Sequence, residues 1–367
     1  MSSWASLYTE CCNAAGVVPR EEIAALADPN TITLNGNCSE RFARRVDDTE
    51  FAALCTAIGR SMSVVALDVS YNHISSKGAA VLADLLRTNA TLQTIQLAHN
   101  NIDAEGARAL ADSLMLNMTV LSLTLSGNPV DDEGGIALGT MLRGNNTLNE
   151  LHVASCSLGT KAILSIVQAA QTHPSLSSLY LDKPLIKGPH DVQSVMQHLA
   201  ATLKETRALV DLSLNFFELA DDSLAYILPA LVHNTSLLRL SLRGNKLSPG
   251  AGELIATFLA RRPELIALDL TANRLGDVGA TALAGSLRTH PSIRQLLLAS
   301  NAIGEVGLID IADALVECTS ISEMTLWGNR FSEDATSAFY QYRDQLEALH
   351  LDFEFYVVDG VVMLAQK

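Results

Sequence analysis

The sequence is poor in aromatic residues, and its acidic residues outnumber its basic ones, which argues against two classes of partner. Phe, Tyr and Trp make up only 5% of the 367 residues, and 25 Lys and Arg stand against 40 Asp and Glu, a formal net charge of −15. A surface this acidic repels phosphate backbones and anionic lipids. We therefore expect neither nucleic acid nor a membrane among the partners.

Long apolar runs and targeting signals are also missing. No stretch approaches the roughly 20 apolar residues of a membrane span, and the opening "MSSWASLYTECC" lacks the pattern of a signal peptide. We therefore expect a cytoplasmic protein. Its six cysteines have no C-x-x-C spacing and no histidine cluster to complete a zinc site. This predicts reduced, mostly buried thiols and no bound metal.

Motifs for catalysis are absent as well. The phosphate-binding glycine loops, HExxH and G-x-S-x-G do not occur. The nine histidines are scattered, and none has a nucleophile and an orienting carboxylate at a recognisable spacing. We predict a protein that is not an enzyme and that uses no cofactor and no small-molecule substrate.

The most prominent feature of the sequence is a repeat. The segments "VVALDVSYNHI" (64–74), "LQTIQLAHNNI" (92–102) and "VLSLTLSGNPV" (120–130) align with their asparagines 28 residues apart, and a second run with the same spacing extends from "LLRLSLRGNKL" to "ISEMTLWGNRF". The aligned asparagines are Asn72, Asn100, Asn128, Asn245, Asn273, Asn301 and Asn329. With a weaker first unit at "ITLNGN" (32–37), the chain has about eleven units. Three sequons, starting at 89, 117 and 234, share another position of the repeat, which explains them better than glycosylation does.

Each unit combines two local structures. L-x-L alternates between the faces of a short strand, and the Asn amide can bond buried backbone groups at the turn that leaves the strand. An amphipathic helix then follows, as in "SSKGAAVLADLLRTN" (75–89). This pattern resembles the leucine-rich repeat of the ribonuclease-inhibitor-like subclass. The resemblance implies an α/β solenoid curved into a horseshoe, with a parallel sheet on its concave, partner-binding face and helices on its convex face.

The ends of the chain differ from the repeat. We predict a helical N-terminal cap over 1–30, the solenoid over 31–350 and a C-terminal β-hairpin cap over 351–367. The hairpin prediction depends on two β-rich runs around Asp359-Gly360. The alternative to a cap is an open strand edge that offers strand addition to a partner.

A narrower resemblance involves the C-terminal segments "WGNRF" (327–331) and "FYVVDGVVMLAQ" (355–366). They resemble the C-terminus of the family that contains leucine-rich-repeat-containing protein thirty-four. The resemblance implies a non-catalytic scaffold or assembly subunit of the cilium or flagellum axoneme, with axonemal proteins as partners. The alternative function is a regulator of a partner enzyme, either ribonuclease-inhibitor-like or acting on a small GTPase.

The strand positions that point away from the core locate a candidate binding surface. These positions are small in the early units, whereas Trp, Tyr and Arg, the residues favoured at binding hot spots, occur there only from Tyr180 onward. The predicted partner-binding residues are Tyr180, Asp182, Asn215, Arg239, Arg243 and Trp327. Two alternatives stay open: the arginines could pair with Asp211 and Asp269, and Trp327 could pack beneath the hairpin.

The repeat is interrupted in the middle of the chain. Cys156, Pro184 and Phe217 occupy the Asn position of three consecutive units, and the interval from Pro184 to Phe217 is 33 residues. The extra residues fall near "KPLIKGPHDV" (183–192), which predicts a longer loop. The interruption is either a joint between two regular halves or a partner contact.

Overall fold

The computed structural model describes residues 3–39, 44–261, 263–288 and 290–367. Residues 1 and 2 of the predicted N-terminal cap, and 40–43, 262 and 289 of the predicted repeat region, lie outside these ranges. The chain forms two compact units, Met1–Lys187 and Gly188–Lys367. The boundary between them falls inside the 183–192 segment.

The first unit alternates helices with short parallel strands. Its helices are Trp4–Ala14 (α1), Glu21–Ala24 (α2), Asp48–Ser61 (α3), Ser76–Leu86 (α4), Ala104–Leu114 (α5), Asp131–Gly144 (α6) and Thr160–Ala170 (α7). Its strands are Thr31–Thr33 (β1), Ala66–Asp68 (β2), Thr94–Gln96 (β3), Ser122–Thr124 (β4), Glu150–His152 (β5) and Ser178–Tyr180 (β6). Each strand pairs in parallel with the next, so Leu67, Ile95 and Leu123 form one buried row.

The second unit repeats this pattern and ends in a hairpin. Its helices are Pro189–Glu205 (α8), Asp221–Leu231 (α9), Pro249–Leu259 (α10), Gly276–Leu287 (α11), Glu305–Glu317 (α12) and Glu333–Gln341 (α13). Its parallel strands are Asp211–Ser213 (β7), Arg239–Ser241 (β8), Ala267–Asp269 (β9), Gln295–Leu297 (β10), Glu323–Thr325 (β11) and His350–Leu351 (β12). The antiparallel strands Phe353–Val358 (β13) and Val361–Gln366 (β14) follow.

The prediction of a longer loop at 183–192 is wrong in part. Helix α8 begins at Pro189 and has 17 residues, whereas α4 and α5 each have 11, so most of the extra length is helical. Proline suits the first turn of a helix because the N–H it lacks would be unpaired there. Gly188, with a φ of 89°, forms the turn before it.

Several helices are capped by an acid from the preceding helix. Asp277, in the first turn of α11, accepts hydrogen bonds from the N–H groups of Gly304 (2.6 Å) and Gly307 (3.1 Å) at the start of α12. Asp132 of α6 does the same for Gly159 and Ala162 at the start of α7. Carboxylates stabilise helix N-termini because these N–H groups have no partner within the helix. These bonds therefore hold successive helices in register.

Candidate functional site

The aligned asparagines lie in the turns that leave the strands. Asn128 is 1% exposed; its Nδ2 donates to the carbonyls of Leu97 and Leu125, both at 2.8 Å, and its Oδ1 accepts the N–H of Ile102 at 3.0 Å. Bonds of the same kind are made by Asn72, Asn100, Asn245, Asn273 and Asn329. Asn301 keeps the donor bonds, but its Oδ1 accepts nothing from the described residues. Each amide joins two adjacent repeats.

The turn itself survives where the asparagine is lost. The residue before each aligned Asn has a positive φ, between 52° and 81°. Ser155, Lys183 and Phe216 hold the same place before Cys156, Pro184 and Phe217, with φ between 52° and 54°. The thiol of Cys156 also donates to the carbonyl of Leu125 at 3.1 Å, the bond that an Asn would make there. The interruption changes the side chain and leaves the backbone turn intact.

A second set of buried amides, which was not predicted from the sequence, lies where helices lead back into strands. Asn117 Nδ2 donates to the carbonyl of Leu86 at 2.8 Å, and its Oδ1 accepts the N–H groups of Thr119 and Val120, both at 2.9 Å. Asn145 and Asn234 bond in the same way. The detectable signal was the 28-residue spacing of Asn89, Asn117 and Asn145; two of these, Asn89 and Asn117, begin sequons named above.

His173 takes this position in the next repeat. Its Nδ1 accepts the N–H groups of Ser175 (3.3 Å) and Leu176 (3.0 Å), which requires a neutral ring with the proton on Nε2. Burial lowers the pKa of His173 below its ordinary 6.5, because an apolar environment disfavours the charged ring. A structural amide is thus replaced by a group that titrates.

Three of the predicted binding residues lie together on the solvent face of the second unit's sheet. These three are Asn215, Arg239 and Arg243. We define the polar face as these residues together with their neighbours Asp211, Ser241 and Asp269 and the buried Ser213. Arg239 Nε donates to Asp211 Oδ2 at 2.7 Å, and the two side chains are 50% and 16% exposed. The pairing left open for Arg239 is therefore present in the structure.

Arg243 has a different environment on the same face. Its backbone N–H donates to Asn215 Oδ1 at 2.8 Å, and Asn215 Nδ2 donates to Ser213 Oγ at 2.8 Å. Asp269 accepts from Ser241 Oγ and from the N–H of Thr271, so its carboxylate is engaged by neutral groups. The exposed guanidinium of Arg243 makes no ion pair with any residue that the structure describes. Asn215 therefore fixes the backbone beneath an exposed cation.

Tyr180 and Asp182 belong to the first unit. The Tyr180 ring stacks on His152 with centroids 4.1 Å apart and planes 9° apart, and His152 Nε2 lies 4.0 Å from Glu150 Oε2. The carbonyl of Asp182 accepts the N–H of Ser155 at 2.8 Å. The stack forms a flat surface at the carboxyl ends of β5 and β6.

Trp327 lies away from the polar face, beside the hairpin. The backbone N–H of Trp327 donates to Asp352 Oδ2 at 3.0 Å. Trp327 also lines a groove of about 560 Å³ together with Phe331 and residues 361–364. The predicted residues therefore occupy three places: the polar face, the Tyr180 stack and the groove beside β14.

Two buried cysteines are poorly suited to chemistry as nucleophiles. Burial raises the pKa of the Cys156 thiol to about 12, so the reactive thiolate is scarce at neutral pH. Burial also raises the pKa of Cys55. In the described ranges, no three His, Cys, Asp or Glu residues are grouped so as to hold a metal ion, and no helix is long and apolar enough to cross a membrane.

Known proteins resemble this chain in two ways, through a family model and through solved structures. The Leucine Rich repeat family model matches residues 60–83, 88–111, 116–139, 233–256 and 265–284. Among solved structures, the chain is similar to actin-binding site 2 of leiomodin-1, with 26% identity over 35% of this chain and 71% of that chain and a TM-score of 0.31. It is also similar to an internalin from Listeria monocytogenes, with 13% identity over 95% of each chain and a TM-score of 0.44. A search of curated proteins finds no match.

These similarities are distant, and the narrower resemblance of 327–331 and 355–366 stays a prediction. The family-model matches fall in both units, where parallel strands alternate with helices. The chain therefore has the fold of an α/β leucine-rich-repeat solenoid.

Proposed function

We propose that this protein is a non-catalytic scaffold that binds another protein through the polar face of its second unit. Leucine-rich repeats suggest such a role because stacked repeats present an extended sheet surface to partners. The observation that supports this location is Arg243, an exposed arginine without an ion pair to the described residues, in a chain with a net charge of −15.

The surroundings of Arg243 suit recognition of a carboxylate. A guanidinium offers several N–H donors in a fixed plane and can bond both oxygens of a carboxylate. Asn215 Oδ1 accepts the backbone N–H of Arg243 at 2.8 Å and so restricts this segment before a partner binds. This restriction lowers the conformational entropy that the segment loses on binding. The Arg239–Asp211 pair beside it adds oriented polar groups. The partner segment that fits this face is acidic at the position opposite Arg243.

Charge reversal at Arg243 tests the proposal. Affinity capture from native cells should lose the partner with R243E, and the affinity of the purified pair should fall about 30-fold or more, as at a binding hot spot. R274E is the matched control, because Arg274 is exposed in a nearby turn and undergoes the same change of charge. If both variants, folded by circular dichroism, retained the partner equally, the polar face would not be the binding surface.

We further propose that the scaffold serves the axoneme of a cilium or flagellum. The support is the resemblance of "WGNRF" and "FYVVDGVVMLAQ". Capture from ciliated cells should recover axonemal structural proteins. Recovery of a single small GTPase or a ribonuclease would instead favour an enzyme regulator and contradict this placement.

A further inference from the structure

We infer that the free edge of β14 accepts an extended, basic segment of another protein as an added β-strand. This surface is separate from the polar face and is formed by the C-terminal hairpin. The turn between β13 and β14 consists of Asp359 and Gly360, with φ of 50° and 85°. Two positive φ values characterise the type I′ turn, which joins strands through two residues and fixes their register.

The register decides which peptide groups of β14 are available. Val358 pairs with Val361 next to the turn, and pairs that exchange hydrogen bonds alternate with pairs that do not along the hairpin. Val361, Met363 and Ala365 therefore bond to β13, and residues 362, 364 and 366 present their N–H and C=O groups outward. The bond from the N–H of Lys367 to the carbonyl of Asp352 at 3.1 Å follows the same alternation.

The outward edge of β14 is unpaired. Within the part of the chain that the structure describes, the N–H and C=O groups of Val362, Leu364 and Gln366 have no backbone partner. An exposed strand edge of this kind is a template for pairing with a further strand. Three outward residues on one edge can pair with about six residues of an extended peptide.

The groove beside this edge has room for the added strand. Its volume is about 560 Å³, with residues 361–364 on one side and the turn at 327–332 and the start of α13, including Thr336, on the other. A strand paired with β14 would lie about 4.8 Å from it. Alternate side chains of that strand would contact Trp327 and Phe331, two of the large apolar groups in the groove.

The solvent face of the hairpin extends this apolar surface. Tyr356, Val358, Val361 and Met363 lie on one face and are each 41–48% exposed. An added strand would place its other alternate side chains beside this face, because the two faces of a sheet alternate along each strand. Apolar residues on both faces of the added strand are therefore favoured.

Charge distinguishes another protein from a second copy of this chain. From Glu323 to Lys367 the chain carries eight acidic residues and three Lys or Arg. A second copy would bring the same excess of negative charge to the contact, in addition to its net charge of −15. Opposite charges attract and steer association, and like charges oppose it. The occupant that fits is therefore an apolar strand flanked by basic residues.

A synthetic probe tests this inference on the full chain. The probe is a labelled ten-residue peptide with alternating valine and threonine in its centre and two lysines at each end, titrated by fluorescence anisotropy. We expect binding that weakens as salt rises. L364P should lower the affinity at least about tenfold, because proline removes one outward N–H of β14.

V357P is the matched control. Val357 is exposed on β13, and its N–H points outward from the opposite edge of the same hairpin, so this proline should leave peptide binding unchanged. Protection of the Met363 amide from hydrogen exchange, in both variants, shows that the hairpin is formed. With peptide bound to the unmodified chain, protection should rise at Val362, Leu364 and Gln366 but not at Met363.

Four results would overturn the inference. They are no binding of the peptide, equal loss of affinity in L364P and V357P, equal binding of the same peptide with glutamates in place of the lysines, and an unchanged exchange pattern. Self-association of the chain that L364P abolishes, measured by sedimentation, would assign the edge to a second copy and also contradict it.

Discussion

Replacing Asn128 by alanine should lower the free energy of unfolding more than replacing Asn301, although both side chains are buried in turns that lead from a strand to a helix. In N128A the N–H of Ile102 loses the acceptor that it has at 3.0 Å, and the carbonyls of Leu97 and Leu125 each lose a donor.

The contacts that remain set the magnitude. The carbonyl of Leu97 keeps a bond from Asn100 Nδ2 at 3.0 Å, and that of Leu125 keeps one from Cys156 Sγ at 3.1 Å. Each weakened carbonyl then costs about 0.5–1.5 kcal/mol, whereas the orphaned buried N–H of Ile102 costs about 1–3 kcal/mol. We expect N128A to lower the free energy of unfolding by about 2–6 kcal/mol.

N301A is the matched comparison. Asn301 donates to the carbonyls of Leu270 and Leu298, which also keep other amide donors, but its Oδ1 accepts nothing from the described residues. Its loss orphans no N–H, so N301A should be milder than N128A by about 1–3 kcal/mol. Repeat arrays can unfold in parts, so the assay is native-state hydrogen exchange, supported by urea unfolding. Equal costs, or a protected Ile102 amide in N128A, would refute this reasoning.

Three further variants test other features. The contribution of neutral His173 to the free energy of unfolding is fully present above pH 6.5. It should decline as the pH falls from there through the lower pKa of the folded state, by up to about 1.4 kcal/mol per pH unit. H173N should remove this part of the acid sensitivity in urea titrations at several pH values, and an identical pH profile in the variant would contradict it. D277A should cost about 1–2 kcal/mol and increase exchange at the Gly304 amide, and unchanged exchange there would argue against capping. G127A should cost about 1–3 kcal/mol in urea unfolding, because Gly127 has a φ of 75° and an added Cβ would lie 2.4 Å from the His99 ring; an unchanged midpoint would show that the turn relaxes.

The repeat could be recognised from the sequence because its requirements are local. A strand needs apolar residues at alternate positions and the turn needs a buried amide, so Asn72 to Asn329 mark the repeat directly. The hairpin at Asp359-Gly360 could be predicted for the same reason, since a type I′ turn demands residues that tolerate a positive φ. The α/β solenoid fold follows from this periodicity.

The candidate site was harder to predict from the sequence. Arg239 and Arg243 are separated by four positions in one repeat, yet one pairs with Asp211 and the other makes no ion pair to the described residues. That difference depends on how far each side chain reaches across neighbouring strands. Trp327 likewise lines a groove with residues more than 30 positions later in the chain.

The sequence by itself determined the period of the repeat, the turn asparagines and the hairpin, because each depends on residues that are close together in the chain. Only the tertiary structure decided that Asp277 caps the helix of the next repeat, that Asn117 bonds a carbonyl 31 residues earlier, and that the chain divides into two units after Lys187. These features depend on the register between successive repeats. That register is set by how strands pair and helices pack, which the spacing of one residue type does not specify.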